Sequence, residues 1–183
     1  MLLIVGRTCT GKDTLARELE KYGMKSVVSY TTRPKRYESE DTHIFITQKE
    51  AEEITNKVAT TVLNGYEYFT TRTQLENCDI YIIDPKGLQE LITNCPDDQF
   101  NVVHVTADQH ISKTRAIQRS HKEHESEVFD SRTASEDMQF TNFEKIVQDT
   151  DRIAENCKII YHYENDFTVK SLHKAVKRIL NHL

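Results

Sequence analysis

The run Gly6-Arg7-Thr8-Cys9-Thr10-Gly11-Lys12 leaves little freedom in how the N-terminal segment can fold. It matches G-x-x-x-x-G-K, and it stands between a short apolar run, residues 2–5, and a segment that reads as a helix over residues 12–22. The apolar run reads as a fully buried strand, and Gly23 stops the helix. Chemistry explains the layout. Glycines let the backbone curl until successive N–H groups face inward toward phosphate oxygens. The helix start adds free N–H donors and the positive end of its dipole. Lys12 supplies a mobile full charge between the outer phosphates. The spacing therefore predicts a strand–loop–helix cradle for a nucleoside triphosphate. Its candidate ligands are Gly6, Arg7, Thr8, Cys9, Thr10, Gly11, Lys12, Asp13 and Thr14. Position 13, where a Ser or Thr usually binds Mg²⁺, is Asp13, and Thr14 follows. Either Asp13 holds the metal, directly or through water, or Thr14 carries the hydroxyl role.

The rest of the chain predicts an alternation of strands and helices. Residues 26–30, 80–83, 102–106 and 158–163 read as strands, and residues 108–119, 131–154 and 168–183 as helices. Pro85 suits the first turn of a helix after residues 80–83. Short apolar strands alternating with helices imply a parallel sheet covered on both faces. Residues 31–75 break this rhythm. Residues 42–47 alternate like a strand, and Thr47-Gln48-Lys49-Glu50 has capping-box spacing for a short helix. Asn64-Gly65 between two β-prone runs is a hairpin signal. The expected architecture is a three-layer αβα P-loop fold with an inserted mixed-β subdomain. The polar stretch 120–130 reads as a mobile lid. One domain spans 1–183: core 1–30, 76–116 and 139–183, inserted subdomain 31–75, lid 117–138.

Composition narrows the function. The chain has 183 residues, a net charge of −5 and a mean hydropathy of −0.63. An acidic balance argues against an extended nucleic-acid surface but leaves room for a local basic site. No apolar run approaches the ~20 residues of a membrane span or the ~7–15 of a signal-peptide core. Cys9, Cys78, Cys95 and Cys157 fit neither a zinc nor a CxxC pattern, so reduced cysteines and a cytoplasmic location are expected. Monomer and homodimer are both open.

Ser29-Tyr30-Thr31-Thr32-Arg33-Pro34-Lys35-Arg36 makes the reading more specific. Two arginines three apart, pinned by a proline, can form a fork around a doubly charged phosphate. The stretch resembles the S-x-T-T-R-x-x-R segment of the guanylate kinase family. His43-Ile44-Phe45-Ile46-Thr47 looks like that family's Y-x-F-x-S/T strand. Asn64-Gly65-Tyr66-Glu67-Tyr68-Phe69-Thr70 looks like its G-x-x-Y-G-S/T hairpin, and Asp84-Pro85-Lys86-Gly87 like its D-x-x-G. Arg115, Arg119 and Arg132 match its lid arginines. The resemblance covers about residues 2–166.

The resemblance implies ATP- and Mg²⁺-dependent phosphorylation of a nucleoside monophosphate, most directly GMP or dGMP. It implies acceptor binding by Ser29, Arg33, Arg36, His43, Tyr68, Thr70 and Asp84, and catalysis by Lys12, Arg36, Arg115, Arg119 and Arg132.

Departures from the family pattern qualify this. The Gly in the middle of the phosphate loop is Cys9. The segment between Arg36 and His43 is shortened. The Glu that reads guanine falls near Ala59 or Thr60, which cannot do its work. A donor left unpaired in a closed site costs ~1–3 kcal/mol, enough to weaken guanine selection and too little to abolish kinase chemistry. An acceptor other than GMP is therefore the alternative of the same class. A catalytically inactive interaction module is the alternative of another class, although Lys12 and the lid arginines are all present. His121 and His124 among glutamates read as a solvated lid rather than a metal site.

Overall fold

β1 (Leu2–Val5) is buried along its whole length and sits inside a five-stranded sheet. Its neighbours are β6 (Ile80–Ile82) on one side and β7 (Phe100–Thr106) on the other, both parallel to it. The order is completed by β9 (Cys157–Glu164), parallel to β7, and β8 (Arg152–Ala154), giving β6-β1-β7-β9-β8. The structure, a computed structural model, describes residues 1–35, 37–63, 65–120 and 125–183; the side chains of 118–120, 125–132 and 135 lie outside that description.

Alternation on the strands divides the core in two. Leu2 and Ile4 of β1, with Val103 and Val105 of β7, face α1 (Lys12–Glu20) and α7 (Val169–Leu180), meeting Leu15, Leu19, Val176 and Ile179. Leu3 and Val5, with Phe100 and Val102, face α4 (Pro85–Asn94) and α6 (Glu125–Asp149), meeting Leu88, Leu91, Phe140 and Phe143. Helices on both faces explain why β1 reads as an unbroken apolar run. α5 (Gln109–Ser120) precedes α6 and packs against it. Among the described residues, no helix is long and apolar enough to cross a membrane. None of the four cysteines is joined in a disulfide.

A second sheet of four strands has the order β3-β2-β5-β4, from β2 (Tyr30–Thr31), β3 (Ile44–Phe45), β4 (Lys57–Leu63) and β5 (Tyr66–Thr71). β2 and β3 run parallel, while β5 is antiparallel to both β2 and β4, so this sheet is mixed. α2 (Gln48–Glu53) starts on the Thr47 capping box, with Glu50 N–H donating to Thr47 Oγ1 and Thr47 N–H to Glu50 Oε2. α3 (Arg72–Glu76) follows β5 on a second capping box, Thr71 with Gln74.

Three expected elements differ. Residues 26–30 shrink to β2 plus a single bridge from Ser26 to Ile80, because the chain crosses there from one sheet to the other. The helix expected over 131–154 starts at Glu125 and ends at Asp149. Beyond it Arg152–Ala154 turns back as β8, antiparallel to β9, so the sheet is parallel except at this edge. The polar stretch 120–130 lies largely in helix, with residues 121–124 outside the described residues.

One buried titratable group ties fold stability to pH. His104 on β7 is 5% exposed, against the rings of Phe143 and His162. Desolvation, then the like charge of His162, depresses its pKa from 6.5 to about 4. The folded state thus holds His104 neutral, which stabilises the fold above pH ~6.5; that contribution is lost as pH falls toward 4. The full difference is worth about 3 kcal/mol. The urea midpoint should therefore drop between pH 7 and pH 4.5, and His104→Phe should flatten that drop. An unchanged slope in the variant would assign acid sensitivity elsewhere.

Candidate active site

The phosphate loop lies at the carboxyl end of β1 and turns directly into α1. Close approach dictates both its glycines. A Cβ on Gly6 would stand 2.3 Å from the Val105 carbonyl oxygen at the end of β7. Gly11 has φ +96°, and a Cβ there would meet Asn165 Nδ2 at 2.3 Å. Asn165 is a residue that the sequence reading missed. Its Nδ2 donates to the Thr10 carbonyl at 2.8 Å, and its Oδ1 accepts from Tyr163 Oη and Phe167 N–H. The loop is thus stapled to the end of β9. The only signal was an asparagine just past a predicted strand. Cys9 has φ +60°, the left-handed region in which a glycine is favoured.

Within the loop, the Arg7 carbonyl accepts from Lys12 Nζ at 2.7 Å and from Thr10 Oγ1 at 2.9 Å. Burial, the largest influence on Lys12, lowers its pKa; Glu136, Asp13, Cys9 and Asp84 pull it up. The Arg7 side chain turns away from the loop onto α6. Its Nε and Nη2 donate to Glu144 at 2.9 and 3.2 Å, Nη1 donates to Asp137 at 2.5 Å, and its guanidinium lies 5.3 Å from the Phe140 ring centroid. Thr8 N–H donates to Glu136 Oε2 at 2.9 Å. A cavity of about 390 Å³ lies beside the loop, between Thr8, Thr10, Val105, Ser112, Asp137 and Glu144.

Asp13 and Thr14 are exposed in the first turn of α1. Among the described residues no group of three or more His, Cys, Asp or Glu side chains could hold a metal.

A smaller cleft of about 140 Å³ opens where the two sheets meet, lined by Ser29, His43, Thr61, Tyr68, Tyr81 and Asp84 among others. Ser29 Oγ and His43 Nδ1 share a hydrogen bond of 3.0 Å, and the His43 ring meets Tyr68 edge-on. Tyr68 Oη accepts from Arg33 Nε at 3.1 Å. Arg33 is buried. Its Nη2 donates to Glu40 Oε1 at 2.8 Å, and its Nη1 donates to Glu40 Oε2 and the Pro34 carbonyl. Desolvation, the largest influence, opposes the Arg33 charge, and Glu40 and Tyr68 together outweigh it, so its pKa rises. Most of the Arg33 fork is thus spent on protein partners, and its job in this structure is to hold Tyr68 and the Glu40 turn.

Thr70 is fully buried on β5, beside the Tyr81 phenol, whose pKa burial pushes up. Asp84 caps α4, its Oδ1 accepting from Gly87 N–H at 2.9 Å, and still lines the cleft. Ala59 and Thr61 line the β4 wall and bring no carboxylate to it. Thr60 turns its N–H to Glu90 Oε2 instead.

Arg115 lies with its guanidinium 4.3 Å from the Phe167 ring centroid, and its buried Nε finds no hydrogen-bond partner among the described residues. Phe167 itself has φ +61°. Arg36, His121 and His124 lie outside the described residues. Arg119 is placed on α5 and Arg132 on α6 by backbone, their side chains lying outside the description.

The crystal structure of guanylate kinase from Anaplasma phagocytophilum superposes with a TM-score of 0.63 over 99% of this chain and 82% of that chain, at 14% identity. At that identity the likeness is one of fold alone, over essentially the whole chain. No curated protein sequence matches. The sequence does match a family described as AAA domain over residues 2–160, a span from β1 through the phosphate loop into β9, and the chain belongs to that family.

Proposed function

We propose that the chain is an ATP-dependent nucleoside monophosphate kinase, acting on GMP or dGMP. The carrying observation is that the phosphate loop and the small cleft are neighbours: the loop follows the carboxyl end of β1, and Asp84, which lines the cleft, follows the carboxyl end of β6, the strand paired in parallel with β1. A donor triphosphate on the loop and an acceptor in the cleft would therefore meet at Lys12. On this reading residues 31–75 form the acceptor subdomain and residues 117–138 the lid, inserted in a core of 1–30, 76–116 and 139–183.

Phosphoryl transfer needs positioning and charge neutralisation more than covalent chemistry. Lys12 and the loop amides would hold the donor phosphates. Arg36, His43 and Tyr68 would hold the acceptor phosphate, with Arg33 fixing Tyr68. Arg119 and Arg132 would close on the transferring group, supported by Arg115. Asp13, with Thr14 beside it, would hold Mg²⁺, which neutralises charge on the phosphate oxygens when bound. No general base is required, because the acceptor phosphate is already an anion.

The β4 wall supports a second acceptor reading. Ala59 and Thr61 offer guanine no carboxylate, so another nucleoside or deoxynucleoside monophosphate is the alternative. The test is ADP release from Mg-ATP with each common ribo- and deoxyribonucleoside monophosphate in turn. Turnover confined to GMP and dGMP would mean that Asp84, Ser29 and Thr70 suffice to select guanine. Turnover with a different nucleotide keeps the kinase and moves the substrate. Silence across the panel with ATP still bound would move the acceptor to a phosphorylated small molecule that is not a nucleotide, and silence without ATP binding would sink the reading in favour of an inactive interaction module.

A further inference from the structure

We propose that α6 is a built-in latch on the phosphate loop, with the Glu136 carboxylate occupying a position that a nucleotide phosphate must take. The proposal rests on the phosphate-loop reading above and concerns regulation of that site. Thr8 N–H, one of the loop donors, is spent on Glu136 Oε2 at 2.9 Å. The loop's own arginine is spent as well, held in a two-point contact by Glu144 and in a third contact by Asp137. Phe140 lies beneath the Arg7 guanidinium. Glu136, Phe140 and Glu144 are four residues apart in sequence, so they form one stripe along α6. That stripe supplies carboxylates to both the backbone and the side chain of the loop.

The carboxylate and a phosphate oxygen cannot both take the Thr8 N–H, and their charges repel. Phosphate entry therefore requires α6 to let go. A triphosphate brings more charge than one carboxylate, so it displaces the latch rather than coexisting with it. Coupling of this kind is reciprocal: weakening the latch tightens nucleotide binding. If the latched state predominates about tenfold, the apparent Kd for nucleotide is raised about tenfold.

The test compares wild type, Glu136→Gln and Asp149→Asn, the last being an equal charge change at the far end of α6. Binding of a fluorescent ATP analogue is followed at equilibrium and by stopped flow. The expected result is about tenfold tighter binding in E136Q, with Asp149→Asn within twofold of wild type. The observed association rate should level off with ligand concentration in wild type, where opening limits entry, and rise linearly in E136Q. Equal affinities and rate profiles in wild type and E136Q overturn the latch and leave the phosphate-loop reading standing. An equal gain in Asp149→Asn overturns it too, because the gain is then general charge repulsion. Absence of binding in all three proteins overturns the phosphate-loop reading and the latch together.

Discussion

Lys12→Ala should lower kcat/KM for the kinase reaction by about 10²–10³, the usual loss when one preorganised donor to developing charge is removed. The argument starts from its surroundings. Lys12 opens α1, and its ammonium reaches back across the loop to the Arg7 carbonyl at 2.7 Å. It is a full charge already held inside the cradle, so its orientation is set before substrate arrives. Desolvation makes that charge costly, and Asp13, Glu136 and Asp84 offset part of the cost. A desolvated charge acts far more strongly on a phosphate than a hydrated one. Lys12→Arg should rescue little, because a planar fork does not replace a compact ammonium in a closed loop. The fold should survive, since the core beneath the loop is built from Leu15, Leu19 and their partners rather than from Lys12. Steady-state ADP release and a urea midpoint measured on the same preparation separate the two effects. Turnover within tenfold of wild type would remove Lys12 from the chemistry.

How much of this could be read from sequence follows from which signals are local. The phosphate loop was legible because its chemistry is contiguous: two glycines, a lysine, a strand before and a helix after. The Thr47 capping box and the Asn64-Gly65 hairpin were legible for the same reason. Residues 152–154 were not, because nothing in Arg152-Ile153-Ala154 distinguishes a helix end from an edge strand until β9 is there to pair with. Residues 26–30 are β-prone, yet they serve as a crossing between sheets, which no local pattern encodes. At the site, the arginine fork around Arg33 looked open in sequence, and Glu40, seven residues on, largely closes it. Asn165 and Glu136 act on the loop from 155 and 128 residues away, so only the tertiary fold brings them into view.

Arg132→Ala should lower turnover by about 10³–10⁵, the range for an arginine that stabilises the transferring phosphoryl group. Its placement explains why the loss should appear in kcat rather than in binding. Arg132 lies four residues before Glu136 on α6, the helix that touches the loop. Arg132 and Glu136 therefore ride on one helix, which must release Glu136 from the loop to admit the nucleotide and then close again to bring Arg132 to the transferring group. The two ends of that turn predict opposite signatures. Glu136→Gln tightens ATP binding, whereas Arg132→Ala leaves ATP affinity within about twofold and removes turnover. A helix that merely packed the core would show neither, since the residues that anchor it there are Phe140, Phe143 and Val147, further along. Pre-steady-state quench flow with saturating ATP and acceptor reads the chemical step directly. A chemical step within tenfold of wild type in Arg132→Ala would place the phosphoryl-stabilising charge on another residue, and Arg119 on α5 would be the next to replace.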